Sequence, residues 1–120
     1  MKSLSAAVCL WLMSTLSLVS QQDLSVEEIV SYQNKAMAKL EMTPKQTEQV
    51  SAINLTYATK QMALMDEEGS MFGKFGRMKK LGKAKNAELE KVLTEEQYER
   101  YEDDIEPQIR KHFRAKMQQK

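Results

Sequence analysis

Two short stretches of sequence decide the fold: MTPKQ at residues 42–46 and LTEEQ at residues 93–97. Each has an apolar residue, then a threonine, then a glutamine three positions after the threonine. This is the pattern of a stapled capping box. The threonine hydroxyl accepts a hydrogen bond from the third N–H of a helix, and the glutamine side chain accepts one from the N–H of the threonine. Each stretch therefore predicts the start of an α-helix.

A third stretch, LSVEE at residues 24–28, has the same order with serine and glutamate. The expected staple partner of Leu24 is Ile29. For Leu93 the expected partner is Tyr98. Three helix starts are thus predicted, and the residues that define them are Leu24, Ser25 and Glu28; Met42, Thr43 and Gln46; and Leu93, Thr94 and Gln97.

Apolar residues after position 20 recur at spacings of three and four, which is typical of amphipathic helices. Four such stripes predict an all-α domain over residues 21–120. Gly69, Gly73 and Gly76 predict a break in helical structure over residues 66–77. Pro107 is expected to kink or split the last helix, because proline lacks the N–H that an interior helical position requires.

Residues 1–20 have the pattern of a secretory signal peptide: Lys2 as the only charge, an apolar stretch from Leu4 to Val19, and small residues at the end. The alternative, a retained membrane anchor, is less favoured, because the apolar stretch contains several serines and is shorter than a bilayer-spanning helix requires. We expect export, with cleavage near Ser20. The only cysteine, Cys9, lies in this segment, so the mature chain is expected to fold without disulfides.

Composition argues against several classes of function. The chain has 18 basic and 17 acidic residues, and this balance offers no general attraction for nucleic acid. No carboxylate lies in a recognisable arrangement with a nucleophile, so we expect neither an enzyme nor a cofactor. The methionines could bind Cu(I). However, His112 is the only histidine and the mature chain has no cysteine, so no metal site is predicted.

The two LTxxQ boxes, in an exported and methionine-rich helical chain, resemble the Spy/CpxP family of periplasmic chaperones over about residues 42–105. The resemblance implies a fold of three to four helices, with a helical hairpin, an N-terminal helix and a cradle-like homodimer. It also implies a periplasmic protein that holds unfolded or misfolded envelope proteins without ATP. In CpxP-like relatives it further implies inhibition of an envelope-stress sensor kinase. The boxes themselves are explained as helix caps, so any binding activity is expected between them.

We expect clients to contact apolar and basic side chains between the boxes, because methionine and glycine allow a surface to adapt to different partners. Basic residues from Lys74 to Lys85 are either a solvated face or a source of long-range attraction. Two alternatives are a regulatory adaptor that binds the periplasmic domain of a sensor kinase, and a periplasmic metal-binding protein. The predicted client-binding residues are Met62, Met65, Met71, Phe72, Lys74, Phe75, Arg77, Met78, Lys79 and Lys80.

Overall fold

The computed structural model describes residues 25–117. The predicted signal peptide, its cleavage site and the staple residue Leu24 lie outside the described residues. The helices within them are α1 (Val26–Met37), which continues as a 3₁₀ turn at Ala38–Leu40, α2 (Pro44–Asp66), α3 (Met71–Val92), and α4, which is α-helical at Glu95–Arg100, π-helical at Tyr101–Ile105 and α-helical again at Glu106–Met117.

The predicted all-α class is confirmed, and no strand occurs in residues 25–117. α2 and α3 form a long antiparallel hairpin, α1 packs along α2, and α4 packs against α1 and α3. Tyr32 of α1 stacks on His112 of α4 with ring centroids 3.7 Å apart, and this contact joins the N-terminal helix to the C-terminal one.

The helices α1, α2 and α4 each begin at a capping side chain. At α2, Thr43 Oγ1 accepts from the Gln46 N–H at 3.1 Å, and Gln46 Oε1 accepts from the Thr43 N–H at 3.0 Å. Thr94 and Gln97 make the same two bonds at α4, at 3.1 and 2.9 Å. At α1, Ser25 Oγ accepts from the Glu28 N–H at 3.2 Å. The second bond of the predicted capping box is not formed at α1, because the Glu28 carboxylate lies 3.9 Å from the Lys116 ammonium instead of accepting from the Ser25 N–H.

The glycine-rich segment corrects the sequence interpretation. A helix break lies within the predicted range of residues 66–77, but it is confined to residues 67–70, because α2 ends at Asp66 and α3 begins at Met71 and continues through Gly73 and Gly76. Ser70 caps this helix, and its Oγ accepts from the Gly73 N–H at 3.3 Å. A helical glycine costs only about 1 kcal/mol relative to alanine. The real turn is short and uses Gly69, whose φ of 136° is open to glycine but not readily to other residues.

Pro107 does not split α4. The helix instead forms a π turn before the proline: the Glu106 N–H donates to the Tyr101 carbonyl, which is five residues back and not four. This π turn lets the chain enter Pro107 as a helix although the proline donates no bond. The residues of the π turn are accordingly displaced from the register of a continuous α-helix.

The core lies at the end of the hairpin where the two LTxxQ boxes meet. Met37, Leu40, Val50 and Leu89 are almost completely buried there. From Val50, α2 extends about 25 Å beyond this core to the turn, at 1.5 Å per residue. The buried residues of the core cluster are Ala36, Met37, Leu40, Val50, Leu89, Leu93, Tyr101, Ile105 and Ile109.

Candidate functional site

The hairpin end opposite the core exposes large apolar side chains. Met71 is 63%, Phe72 is 92% and Phe75 is 74% exposed. All three lie in the first turns of α3, because the Ser70 cap starts the helix immediately after the turn. We call these three residues the apolar tip. Water is in contact with almost the whole Phe72 ring.

A groove of about 600 Å³ runs from the apolar tip along α3 and is closed on the other side by α4. It is lined by methionines of the hairpin and by aromatic and aliphatic residues of α4. Gln33 of α1 also lines it. The lining residues are Gln33, Gln61, Met65, Met71, Lys74, Phe75, Met78, Gly82, Lys85, Asn86, Tyr101, Glu106, Ile109, Arg110, Phe113 and Arg114.

Half of the predicted client-binding residues come together in this groove. Met65, Met71, Lys74, Phe75 and Met78 line it. The ammonium of Lys74 is engaged, donating to the Met65 carbonyl at 3.1 Å. The remaining predicted residues do not line the groove, and they are Met62, Phe72, Arg77, Lys79 and Lys80.

Those remaining residues have separate surroundings. Phe72 is solvent-exposed on the apolar tip. Arg77 forms an ion pair with Glu67 across the hairpin turn at 3.4 Å, with both side chains about half exposed. Lys79 and Lys80 are exposed. These two lysines therefore remain available as part of a basic surface.

Lys85 corrects the interpretation of the basic cluster as one solvated face. Its side chain is only 6% exposed. Burial lowers its pKa to about 8, although the nearby Glu106 carboxylate raises the pKa in part. The three ion pairs formed among residues 25–117 do not include Lys85. A buried cation that forms no ion pair therefore lies in the wall of the groove.

Gln33 is a second buried polar group of the groove. It is 4% exposed, and its Oε1 has no hydrogen-bond partner among the described residues. By contrast, Tyr101 is satisfied, because its hydroxyl donates to Asn86 Oδ1 at 2.9 Å. Burial raises the pKa of Tyr101, so its hydroxyl stays protonated at neutral pH.

A signal in the sequence could have identified both buried groups. Lys85 lies four residues from Leu81 and from Leu89, and Gln33 lies four residues from Ile29 and from Met37. Each polar residue thus occupies a position that the apolar stripe of its helix assigns to the interior. Basic neighbours in the sequence concealed this for Lys85.

Within residues 25–117, no three histidine, cysteine or acidic side chains are grouped closely enough to hold a metal ion. None of the helices in that part of the chain has the length and apolar character needed to cross a bilayer.

Comparison with known proteins places the sequence in a family. Residues 13–101 match the family described as Domain of unknown function (DUF4890), and this match includes α1 to α3, both LTxxQ boxes and the apolar tip. No curated protein and no solved structure matches the chain. Since the match covers well over half of the sequence, the chain belongs to the DUF4890 family.

Proposed function

We propose that this protein is a periplasmic, ATP-independent chaperone that holds unfolded or misfolded envelope proteins. The observation that carries the proposal is the apolar tip, where Met71, Phe72 and Phe75 are all more than half exposed within five residues. Contiguous exposed apolar surface is characteristic of interaction sites. The resemblance to the Spy/CpxP family and the predicted signal peptide support the same function.

The surroundings of the tip suit a promiscuous binder. Met65, Met71 and Met78 line the adjoining groove, and methionine side chains can repack around partners of different shape. The exposed Lys79 and Lys80 would attract acidic segments before apolar contact is made. A homodimer, as the family resemblance implies, would double the number of tips available to one client.

Suppression of aggregation of a heat-stressed or reduced client protein tests the proposal. We expect the purified protein to suppress aggregation at about stoichiometric ratio, and the double variant Phe72→Ser/Phe75→Ser to lose most of this activity. Leu55→Ser is the matched control, since Leu55 is also an exposed apolar residue, at 52%, but lies on α2 away from the tip. Light scattering on the same samples gives the oligomeric state.

The chaperone proposal fails if the wild-type protein does not suppress aggregation, or if the Leu55 and Phe72/Phe75 variants lose activity equally. Circular dichroism should show unchanged helix content in both, because all three positions are exposed.

The exposed basic side chains favour a second candidate, a regulatory adaptor that binds one acidic sensor-kinase domain. This candidate predicts a single saturable partner and a strong dependence of affinity on salt. A Lys79→Glu/Lys80→Glu variant would then lose binding while Phe72→Ser/Phe75→Ser would not. Recovery of many unrelated envelope proteins in a pull-down argues for the chaperone instead.

A further inference from the structure

The groove beside the apolar tip is chemically selective, and we propose that it binds apolar polypeptide segments carrying one acidic side chain, with that carboxylate on Lys85. The inference rests on the proposed chaperone function and names the client segment that this site takes. It extends the client-binding surface from the solvent-exposed tip into the groove, which shares Met71 and Phe75 with the tip.

The side chains that line the groove give it a net positive charge. Four basic side chains and one acidic side chain line the groove, namely Lys74, Lys85, Arg110, Arg114 and Glu106. Glu106 is already paired with Arg110, one turn further along α4. An occupant with a carboxylate would therefore meet a positive environment, and Lys85 is a buried cation that forms no ion pair among the described residues.

The ammonium group of Lys85 is buried in the wall of the groove. A buried ammonium is costly unless it is paired, and its free energy improves most when a carboxylate enters the same dry environment. The pKa of about 8 keeps Lys85 mainly protonated at neutral pH. The groove thus holds a charge whose free-energy penalty a bound acidic group would reduce.

A polypeptide fits the groove better than a simple amphiphile, because the groove is continuous with the apolar tip. Met71 and Phe75 belong to both surfaces. A client segment held at Phe72 can therefore continue into the groove, where one of its acidic side chains reaches Lys85. A long-chain carboxylic acid has no such connection to a client held at the tip.

The walls and the size of the groove suit the apolar side chains of the proposed polypeptide segment. Met65, Phe75, Met78, Ile109 and Phe113 are among the residues that line it. The volume of about 600 Å³ lies within the range of sites that bury small ligands. The groove therefore accommodates a few residues of extended chain rather than a folded domain.

The test uses two fluorescently labelled nonapeptides of the same apolar sequence, one with a central glutamate and one with glutamine there. Each is titrated against the wild-type protein, Lys85→Met and Lys83→Met. Lys83 is the matched control, because it is an exposed lysine two residues away on the same helix. Hydrogen bonds to charged groups contribute about 1.5–3 kcal/mol, so we expect the glutamate peptide to bind wild type at least about tenfold more tightly.

The deciding quantity is the difference in affinity between the glutamate and glutamine peptides, compared between the wild-type protein and each variant. We expect the preference for glutamate to disappear in Lys85→Met and to persist in Lys83→Met. Equal binding of both peptides to the wild-type protein overturns the inference while leaving the chaperone proposal intact. A long-chain carboxylic acid that binds through Lys85 when neither peptide binds also overturns it, because the occupant is then a lipid. The chaperone proposal is judged separately, by the aggregation assay.

Discussion

The side-chain amides of Gln46 and Gln97 hydrogen-bond to each other in both directions. Gln46 Nε2 donates to Gln97 Oε1 at 2.8 Å, and Gln97 Nε2 lies 3.3 Å from Gln46 Oε1. Gln46 Nε2 also donates to the Val92 carbonyl at 3.1 Å, and Gln97 Nε2 donates to the Leu40 carbonyl at 3.3 Å. Each box therefore holds the chain that leads into the other, and this explains why glutamine, which both donates and accepts, occupies the last position of both.

Replacing Gln97 by glutamate tests this pairing. Glutamate can still cap its own helix, because a carboxylate oxygen accepts from the Thr94 N–H. However, it cannot donate to Gln46 or to the Leu40 carbonyl, and it places a negative charge beside their oxygens. We expect a loss of about 2 kcal/mol in the free energy of unfolding, measured by urea denaturation. Glu28→Gln, at the same position of the α1 start, should change stability by less than about 0.5 kcal/mol, because its ion pair is exposed. Equal effects of the two changes would contradict the bridging role.

Lys85→Met should stabilise the protein at neutral pH. The pKa of Lys85 falls from 10.5 to about 8 on folding, and each pKa unit corresponds to about 1.4 kcal/mol, so the penalty for the buried charge is at most about 3 kcal/mol. We expect Lys85→Met to raise the free energy of unfolding by about 1–3 kcal/mol at pH 7. Lys83→Met should leave it nearly unchanged. A destabilised Lys85→Met protein would show that the ammonium has a stabilising partner.

The same shift predicts a pH dependence. Between about pH 8 and pH 10.5 the unfolded chain holds the Lys85 proton more tightly than the folded one, so the contribution of this group to stability rises with pH. Buried tyrosines act in the opposite direction at higher pH, since the pKa of Tyr101 is raised. We therefore expect the advantage of Lys85→Met over wild type to shrink between pH 7 and pH 9.5. A constant difference in urea denaturation across this range would contradict the shift.

Glycine substitutions in and before α3 should have opposite effects. Gly76→Ala should raise stability by about 0.5–1 kcal/mol, because the residue is helical and an added Cβ meets no atom within 4 Å. Gly69→Ala should lower stability by about 1 kcal/mol or more, because its φ is +136°. Thermal unfolding of the two variants distinguishes them. A stabilising Gly69→Ala would show that the turn adopts a different backbone.

Tyr101→Phe removes one partly buried hydrogen bond and leaves Asn86 Oδ1 without its donor. We expect a loss of about 1–2 kcal/mol in the free energy of unfolding. Tyr32→Phe is the control, because Tyr32 contributes a ring stacked on His112 that phenylalanine preserves. Similar losses in both variants would mean that the Tyr32 hydroxyl has a partner of its own.

Local sequence signals were sufficient for the helix starts and insufficient for the hairpin turn. Thr43 and Thr94 cap helices with partners three residues away, so the information lies within one turn of chain. Gly73 and Gly76 gave the wrong prediction, because propensity alone does not include the Ser70 cap or the packing of α3 on α2. Tertiary packing outweighed a cost of about 1 kcal/mol per glycine.

The sequence predicted several apolar residues of the candidate site and Lys74, but not its other polar residues. Phe75 and Met78 are apolar residues in a basic segment, a pattern that predicts a binding surface, and both line the groove. The contribution of α4 was not foreseeable, because the position of Arg110 relative to α3 depends on the π turn and on long-range packing. Lys85 and Gln33 were overlooked because a single polar residue in an apolar stripe is easily interpreted as exposed.

The separation of the apolar tip from the core has an evolutionary consequence. The residues that hold the helices together lie around Leu40, Val50 and Leu89, whereas Phe72 contributes almost nothing to that packing. Substitutions at the tip are therefore nearly neutral for folding. A lineage can change which partners it recognises by mutating the tip alone, without compensating changes in the rest of the chain.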